Sequence, residues 1–548
     1  MQKLPFSLYP QKMERISSSE VKASNFSIAK EFGRFMASTL GPQSAQKVII
    51  GSDFQHYTLS SDGKTILQRF DLAEFKAIHP VAQLMVELAK TTDDEVGDGT
   101  TSSVVIAGEL LRRAEKLIDE GLHPAIVAEG YKKATKKAIE LMEDLAVSVN
   151  NDEMLEKVAK TAIDTKYMSS HLKRNKETES LANVVVSAIH MVADEDGRAD
   201  PDYIHVVKKS GGDIYDTMVF PGFIVEKEMV HPSMPKYLED AKIALLDAPL
   251  TVKRYDGLFG DISNCNLKME GLDQYKSQKN QEREVLDKMI EKITATGANV
   301  IISRKIIDER LGSSLADKGI IAIPAIPTKE DLNRLSKTCG ANIISDIGAI
   351  SSEDLGFADS IREERHADRS IFILISIKDA NSATVILRGG IAHARSDISR
   401  AIHDALHTTA NAYNNKILPG GGATEMYIAE KLRRYALTIK TKQQLSINAF
   451  AEALEIIPKT LAKNSGQDPI SVNIDLRKEH ADGNNFIGLD TIKRSVIDTV
   501  KEGIIEPLIT KKQVYKGASE TAQLILLSDD IIYGNVIEER IEEKVHGG

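Results

Sequence analysis

Eight consecutive residues, Val96-Gly97-Asp98-Gly99-Thr100-Thr101-Ser102-Ser103, hold the densest chemistry in this chain of 548 residues. Two glycines let the backbone turn sharply and approach a ligand closely. Four hydroxyls follow at what reads as a helix start, where free N–H groups and the helix dipole favour an anion. Asp98 lies among them, and a carboxylate beside a phosphate commonly holds Mg²⁺. These types together describe a triphosphate–magnesium site. The same run is also ordinary turn and N-cap chemistry, so alone it leaves both readings open.

Four further places have the right residue types. Thr39-Leu40-Gly41-Pro42 closes an apolar-periodic stretch, and Gly-Pro is a routine helix stop. Ser60-Ser61-Asp62-Gly63-Lys64-Thr65 carries an acid next to a glycine, which is often only a turn. Leu418-Pro419-Gly420-Gly421-Gly422-Ala423-Thr424-Glu425 sets three glycines before a helix. Such a run is costly in backbone entropy and suggests a backbone lying flat against a base or ribose. Asp404 is a lone acid on a helical stretch, and nothing local marks it as catalytic.

The elements that must position these residues follow from periodicity. Ile28 to Leu40 has helical spacing, and short strands are predicted at Lys47–Ile50 and around Tyr57–Ser60. Long helices fill Pro80 to Ala146. Among them, Val104, Ala107, Leu110, Leu111, Ala114, Leu117 and Ile118 share one face, and Gly121 stops that helix. From His205 to Leu246 the runs are strand-like, 251–269 is irregular, and a charged helix is predicted within Glu270–Ala295. From Val300 to Ile344 strands and helices alternate, which predicts a small α/β domain with a parallel sheet. Asp397–Tyr413 and Glu425–Ala436 return to long helices. Helical ends flanking an α/β centre predict one discontinuous helical domain with an inserted one.

Composition bounds the class. The length corresponds to three or four domains at about 150 residues each. With 42% apolar and 27% charged residues the chain is globular rather than disordered or fibrous. The balance of 70 basic against 80 acidic residues argues against a dedicated nucleic-acid binder. Cys265 and Cys339 have no CxxC or His-Cys company, so neither a zinc site nor a disulfide framework is expected, and a reducing, cytoplasmic setting fits. The first twenty residues lack an apolar signal region, and no apolar run is long enough to span a bilayer. No GxGxxG or P-loop motif supports a metabolic α/β enzyme, and the absence of tryptophan argues against an aromatic cage.

Taken in order, the motifs resemble the group II chaperonins, which comprise the archaeal thermosome and the eukaryotic cytosolic chaperonin. The likeness runs over essentially the whole chain. It includes Val230–Lys236 with Asp240–Asp247, Thr296–Val300, Ile386–Gly390, Glu455–Leu461 and Gly503–Leu508. The archaeal members are the nearer match, because the chain is compact and lacks large insertions.

The resemblance implies a multidomain α and α/β chaperonin fold. Its parts would be a helical equatorial ATPase domain (1–149 and 404–548), an intermediate hinge (150–218 and 369–403) and an α/β apical domain (219–368) with a helical protrusion near 251–285. It implies an ATP-dependent chaperone that encloses non-native polypeptides in two stacked rings of like or unlike subunits, with no nucleic acid or membrane involved. ATP and Mg²⁺ would be the ligands, with K⁺ as an optional further cation. Position by position, Thr39, Leu40, Gly41 and Pro42 would wrap the phosphates and Asp98 would hold Mg²⁺. Gly99, Thr100, Thr101 and Ser102 would meet phosphate oxygens. Lys166, within Ile163–Met168, would sense the γ-phosphate. Gly421 and Gly422 would line the nucleoside pocket, and Glu506 would bond the ribose. Asp62 and Asp404 would orient and activate the attacking water.

Three departures stand out. Where the family usually has Lys-Gly-Met-Asp-Lys after the Leu-Gly-Pro turn, this chain has Gln43-Ser44-Ala45-Gln46-Lys47. Ser61 replaces the usual Asn, and the chain ends without a Gly-Met-rich tail. Retained acids imply retained hydrolysis. The altered loop leaves a second reading, an auxiliary subunit that hydrolyses weakly or not at all among better ATPases.

Overall fold

The computed structural model describes residues 14–16, 18–50, 57–72, 79–149, 151–166, 174–194, 197–251, 272–365, 371–377, 382–389 and 392–533. They form two compact units, Met1–Val186 with Arg400–Gly548, and Ser187–Ser399. Most of the expected protrusion, 252–271, lies outside the described residues.

The first unit is helical and is built around Thr100–Asp119. Ser18–Ala37, Pro80–Val96, Gln443–Leu454 and Leu508–Leu527 all pack on that helix. The apolar spacing predicts a one-faced helix, but every residue from Ser103 to Leu111 is buried. A helix surrounded by partners buries all sides, and Val105, Ile106 and Gly108 serve the second face. Glu109 is the one acid buried there, and Arg112 and Arg113 on the following turn bond its carboxylate. Each fully buried Leu or Ile contributes roughly 1.5–3 kcal/mol. The helix stops as expected, with Gly121 at φ 91° and the Leu122 N–H bonding Leu117 O at 2.9 Å.

The N- and C-terminal portions of the chain are joined in this unit. Ile447, Phe450 and Tyr515 share one apolar core with Tyr131, Leu110 and Met36. Beneath it is an electrostatic hub. Glu455 is fully buried and accepts from Arg477 at 2.8 and 2.6 Å, Lys459 at 2.9 Å, Asn473 at 3.2 Å, and Arg433. Burial alone would raise its pKa, but Arg477, Arg433 and Lys459 outweigh burial and hold it at about 2.

The second unit carries a sheet ordered Ile321–Ile323, Val300–Ser303, Tyr237–Leu246, Gly356–Arg365, Ile371–Ser376, Phe223–Val225, with Ile343–Ile344 also on Tyr237–Leu246. Tyr237–Leu246 pairs parallel with Val300–Ser303 on one side; on the other it pairs antiparallel with Gly356–Arg365 and, at Leu245–Leu246, parallel with Ile343–Ile344. The parallel sheet expected from the helix–strand alternation is therefore half of a mixed one. Parallel neighbours need a crossover, here the helices Leu272–Thr296 and Glu309–Asp317, whereas Gly356–Arg365 and Ile371–Ser376 are close enough in sequence to turn back directly. Strands such as Val300–Ser303 are buried along their whole length, which explains their unbroken apolar runs. A second sheet pairs Ala383–Gly389 with Ile204–Ser210 and Met218–Pro221. No helix among the described residues is long and apolar enough to cross a membrane.

Candidate functional site in the helical unit

The Gly-rich run forms the tight turn and helix start that its glycines and hydroxyls suggest. Pro80–Val96 ends at Gly97 in the left-handed region, where the Gly97 N–H bonds Asp93 O at 2.7 Å. Thr100–Asp119 then starts from Gly99, also left-handed at φ 87°. A Cβ on Gly99 would stand 2.6 Å from Val514, so sterics and backbone both require glycine. The Asp98 carboxylate accepts the Gly99 N–H at 2.7 Å, which fixes it at the mouth of that helix.

Thr39, Leu40, Gly41, Pro42, Asp98, Gly99, Thr101, Ser102, Gly421, Gly422 and Glu506 all line one cleft, of about 1220 Å³ with its open mouth included. The Leu40 loop is held from far along the chain, because the Asn464 amide donates to Ala37 O at 2.9 Å and Leu40 O at 2.8 Å. The Thr39 hydroxyl turns back to Met36 O at 2.8 Å, so Thr39 finishes its helix. Gly421 lies against the chain's own Leu489: at φ 60° its Cβ would meet Leu489 O at 2.5 Å, and its carbonyl accepts the Leu489 N–H at 2.8 Å.

Three expected residues with described side chains stand outside the lining, and a fourth, Lys166, is not among the described lining residues. Thr100 is buried beneath the Asp62 loop, and a Cβ on Gly63 would be 2.6 Å from its Oγ1. Asp62 is buried and caps the helix Gly63–Leu72, accepting the Thr65 N–H at 2.9 Å and hydroxyl at 2.8 Å. Asp404 is buried on Ala392–Tyr413, one turn before Thr408, which does line the cleft. Lys166 is the last residue of Asp152–Lys166, and its side chain is outside the described residues.

Several residues of the site carry no sequence signal. Lys511 and Glu425 are buried and joined at 2.6 Å, and Lys511 also reaches Glu506 at 2.8 Å. Burial would lower the Lys511 pKa, but Glu425 and Glu506 outweigh it and hold the ammonium above its ordinary value. Burial raises the Glu506 carboxyl, Lys511 opposes this, and Glu425 adds to it. Among the described residues nothing bonds the buried hydroxyls of Thr408 and Thr510, which line the cleft. Buried polar groups are normally satisfied, so these orphans ask for a polar occupant. No cluster of three metal-ligating side chains occurs among the described residues. A protein-built metal cage is thus absent there, while one carboxylate, Asp98, fits a cation whose other ligands are phosphate oxygens and water.

Comparison with known proteins shows the family and the fold. The family model described as the TCP-1/cpn60 chaperonin family matches residues 33–535. A thermosome subunit of Methanopyrus kandleri is 38% identical over 531 residues, 96% of this chain and 94% of that one. The thermosome subunit beta of Archaeoglobus fulgidus is 38% identical over 543 residues, 98% and 95% of the two chains. The open-state monomer of a group II chaperonin from Methanococcoides burtonii matches with a TM-score of 0.61 at 33% identity, covering 79% of this chain and all 100% of that one. The fold is that of a group II chaperonin, and the chain belongs to the TCP-1/cpn60 chaperonin family.

Proposed function

We propose that this chaperonin subunit binds ATP with Mg²⁺ in the cleft and hydrolyses it to drive the enclosure and folding of non-native polypeptides. The observation that carries the reading is the convergence, in one cleft, of an anion-receptive helix start, Asp98 beside it and buried hydroxyls with no protein partner. Asp98 would hold the cation, which when bound neutralises phosphate charge. K⁺ is an optional further ion.

The phosphates meet the Thr100–Asp119 N-terminus and the Leu40–Pro42 loop, and Lys166 reports on the terminal phosphate. Asp62 and Asp404 orient a water whose oxygen bonds the γ-phosphorus. The bond to the bridging oxygen breaks, ADP leaves with that oxygen, and a carboxylate takes the water's proton. The three-domain division, with its lid near 251–285, two stacked rings and a cytoplasmic setting complete the proposal. Neither nucleic acid nor a membrane has a part in it.

The test is Mg²⁺-dependent ATP hydrolysis by the full chain across size-exclusion fractions. Activity co-eluting with a ring-sized particle supports the reading, and small inactive species alone overturn it. A sharper prediction separates the two duties of Asp62. Asp62→Asn keeps an acceptor for the Thr65 cap, so thermal stability should hold. Turnover should still fall about 100-fold, as loss of a positioned base does, with nucleotide affinity unchanged by calorimetry.

A further inference from the structure

One wall of the cleft is built from opposite charges in an unequal count. Lys511 donates to Glu425 Oε1 at 2.6 Å and to Glu506 Oε2 at 2.8 Å. The Lys511 and Glu425 side chains are 4% and 1% exposed, while that of Glu506 keeps 32%. Lys511 and Glu506 both line the cleft. Glu506 belongs to the strand Ile505–Pro507, which pairs opposite Leu418 of Lys416–Pro419 and so stands beside the Gly420–Gly422 turn.

Two carboxylates and one ammonium leave this wall negative, whereas the Thr100–Asp119 start receives anions. A phosphorylated ligand is therefore polarised in the cleft, with its phosphates at the helix start and its hydroxyl-bearing end at Glu506. We infer that Lys511 is a positioning residue for ligand specificity: it fixes the Glu506 carboxyl in place to meet a sugar hydroxyl, so that the cleft selects ribonucleotides over deoxyribonucleotides. This rests on the reading that the cleft binds a nucleotide.

The chemistry runs through position. The Lys511 ammonium, anchored on Glu425, engages Glu506 Oε2 at 2.8 Å and fixes the carboxylate where it lines the cleft. Burial, Glu425 and Asp98 raise the Glu506 carboxyl above its ordinary value, against Lys511. Without the ammonium Glu506 loses the bond that orients it. A site that hydrogen-bonds a ligand hydroxyl discriminates against the analogue lacking it, because the site's polar group is then left unpaired.

The test measures Kd by calorimetry, with Mg²⁺ present, for ATP, 2′-deoxy-ATP, 3′-deoxy-ATP and inorganic tripolyphosphate on the full chain. Glu506 is partly exposed, so wild type should prefer ATP over one deoxy analogue by about tenfold, well short of fully buried sites. Lys511→Met should bring that ratio near one and leave tripolyphosphate affinity unchanged. Because Glu425 would be stranded in that variant, the neutral pair Glu425→Gln/Lys511→Met is measured alongside and should behave the same. In a Glu506→Ala background, Lys511→Met should change the ratio no further. An undiminished ratio in either lysine variant overturns the inference and leaves nucleotide binding standing. A wild type that discriminates against neither deoxy analogue also overturns it, whether or not the variants fold. A wild type that binds no nucleotide overturns the underlying reading instead.

Discussion

Asp404→Ala should bind nucleotide as tightly as wild type and turn it over about 10²–10⁴ times more slowly, the usual cost of removing a positioned base. The separation of effects follows from position. Asp404 is buried one helical turn before Thr408, and Thr408, not Asp404, is among the residues lining the cleft. On the proposed reading, ground-state contacts belong to the Leu40–Pro42 loop, the Thr100–Asp119 start and the Gly421–Gly422 turn. Removing Asp404 therefore leaves them in place and subtracts only what acts on the water. Half-exposed His403, with Nδ1 3.8 Å from Asp404 Oδ1, does not replace the carboxylate, being on the solvent side of it. Calorimetric titration gives the affinity and a single-turnover assay gives the chemical step. Undiminished single-turnover chemistry would remove Asp404 from the mechanism.

The second large effect concerns stability. Glu455→Gln should cost the helical unit about 3 kcal/mol, the lower end of what breaking a buried ion pair costs. The lower end applies because Arg433, Lys459 and Arg477 keep 32%, 30% and 48% of their side chains exposed and can rehydrate. Glu455 itself is fully buried and receives all three cations. The sign with pH is determined. A carboxyl whose folded pKa is about 2, against 4.5 unperturbed, contributes its full stability above 4.5 and loses it as pH falls toward 2. Chemical denaturation of wild type and variant at neutral pH and across that acid range reads both. The difference between them should shrink on acidification, and a constant difference would contradict the assignment.

Local chemistry made part of the site legible in the sequence. Gly97-Asp98-Gly99 could be read because left-handed backbone and close approach leave few residue types to choose from. The strands Lys47–Ile50 and Tyr57–Ser60 fall at their predicted places. Asp62 and Asp404 had no such mark: one looks like a turn, the other like a solvated helix residue, and only resemblance singled them out. Glu425, Lys511 and Glu455 were invisible for a different reason. Glu425 and Lys511 are single charged residues on helices and Glu455 sits at the junction of two, and the meaning of each depends on partners up to 86 positions away. Periodicity also misread the central helix as one-faced, because spacing reports the strongest stripe and not how many neighbours surround a helix. The antiparallel half of the sheet was missed because alternation of strand and helix speaks only for crossovers.

The Asn464 amide that grips Ala37 O and Leu40 O spans 427 and 424 positions of sequence. A ribosome making this chain releases the Leu40–Pro42 loop long before it makes the residue that holds the loop. Through most of synthesis, the apolar faces of Ser18–Ala37 and Thr100–Asp119 await Gln443–Leu454 and Leu508–Leu527. Contacts of such high order form slowly and leave sticky surface open meanwhile. A chain that folds others thus has a vulnerable nascent stage of its own, and any ligand that binds only the joined halves draws that closure to completion by mass action.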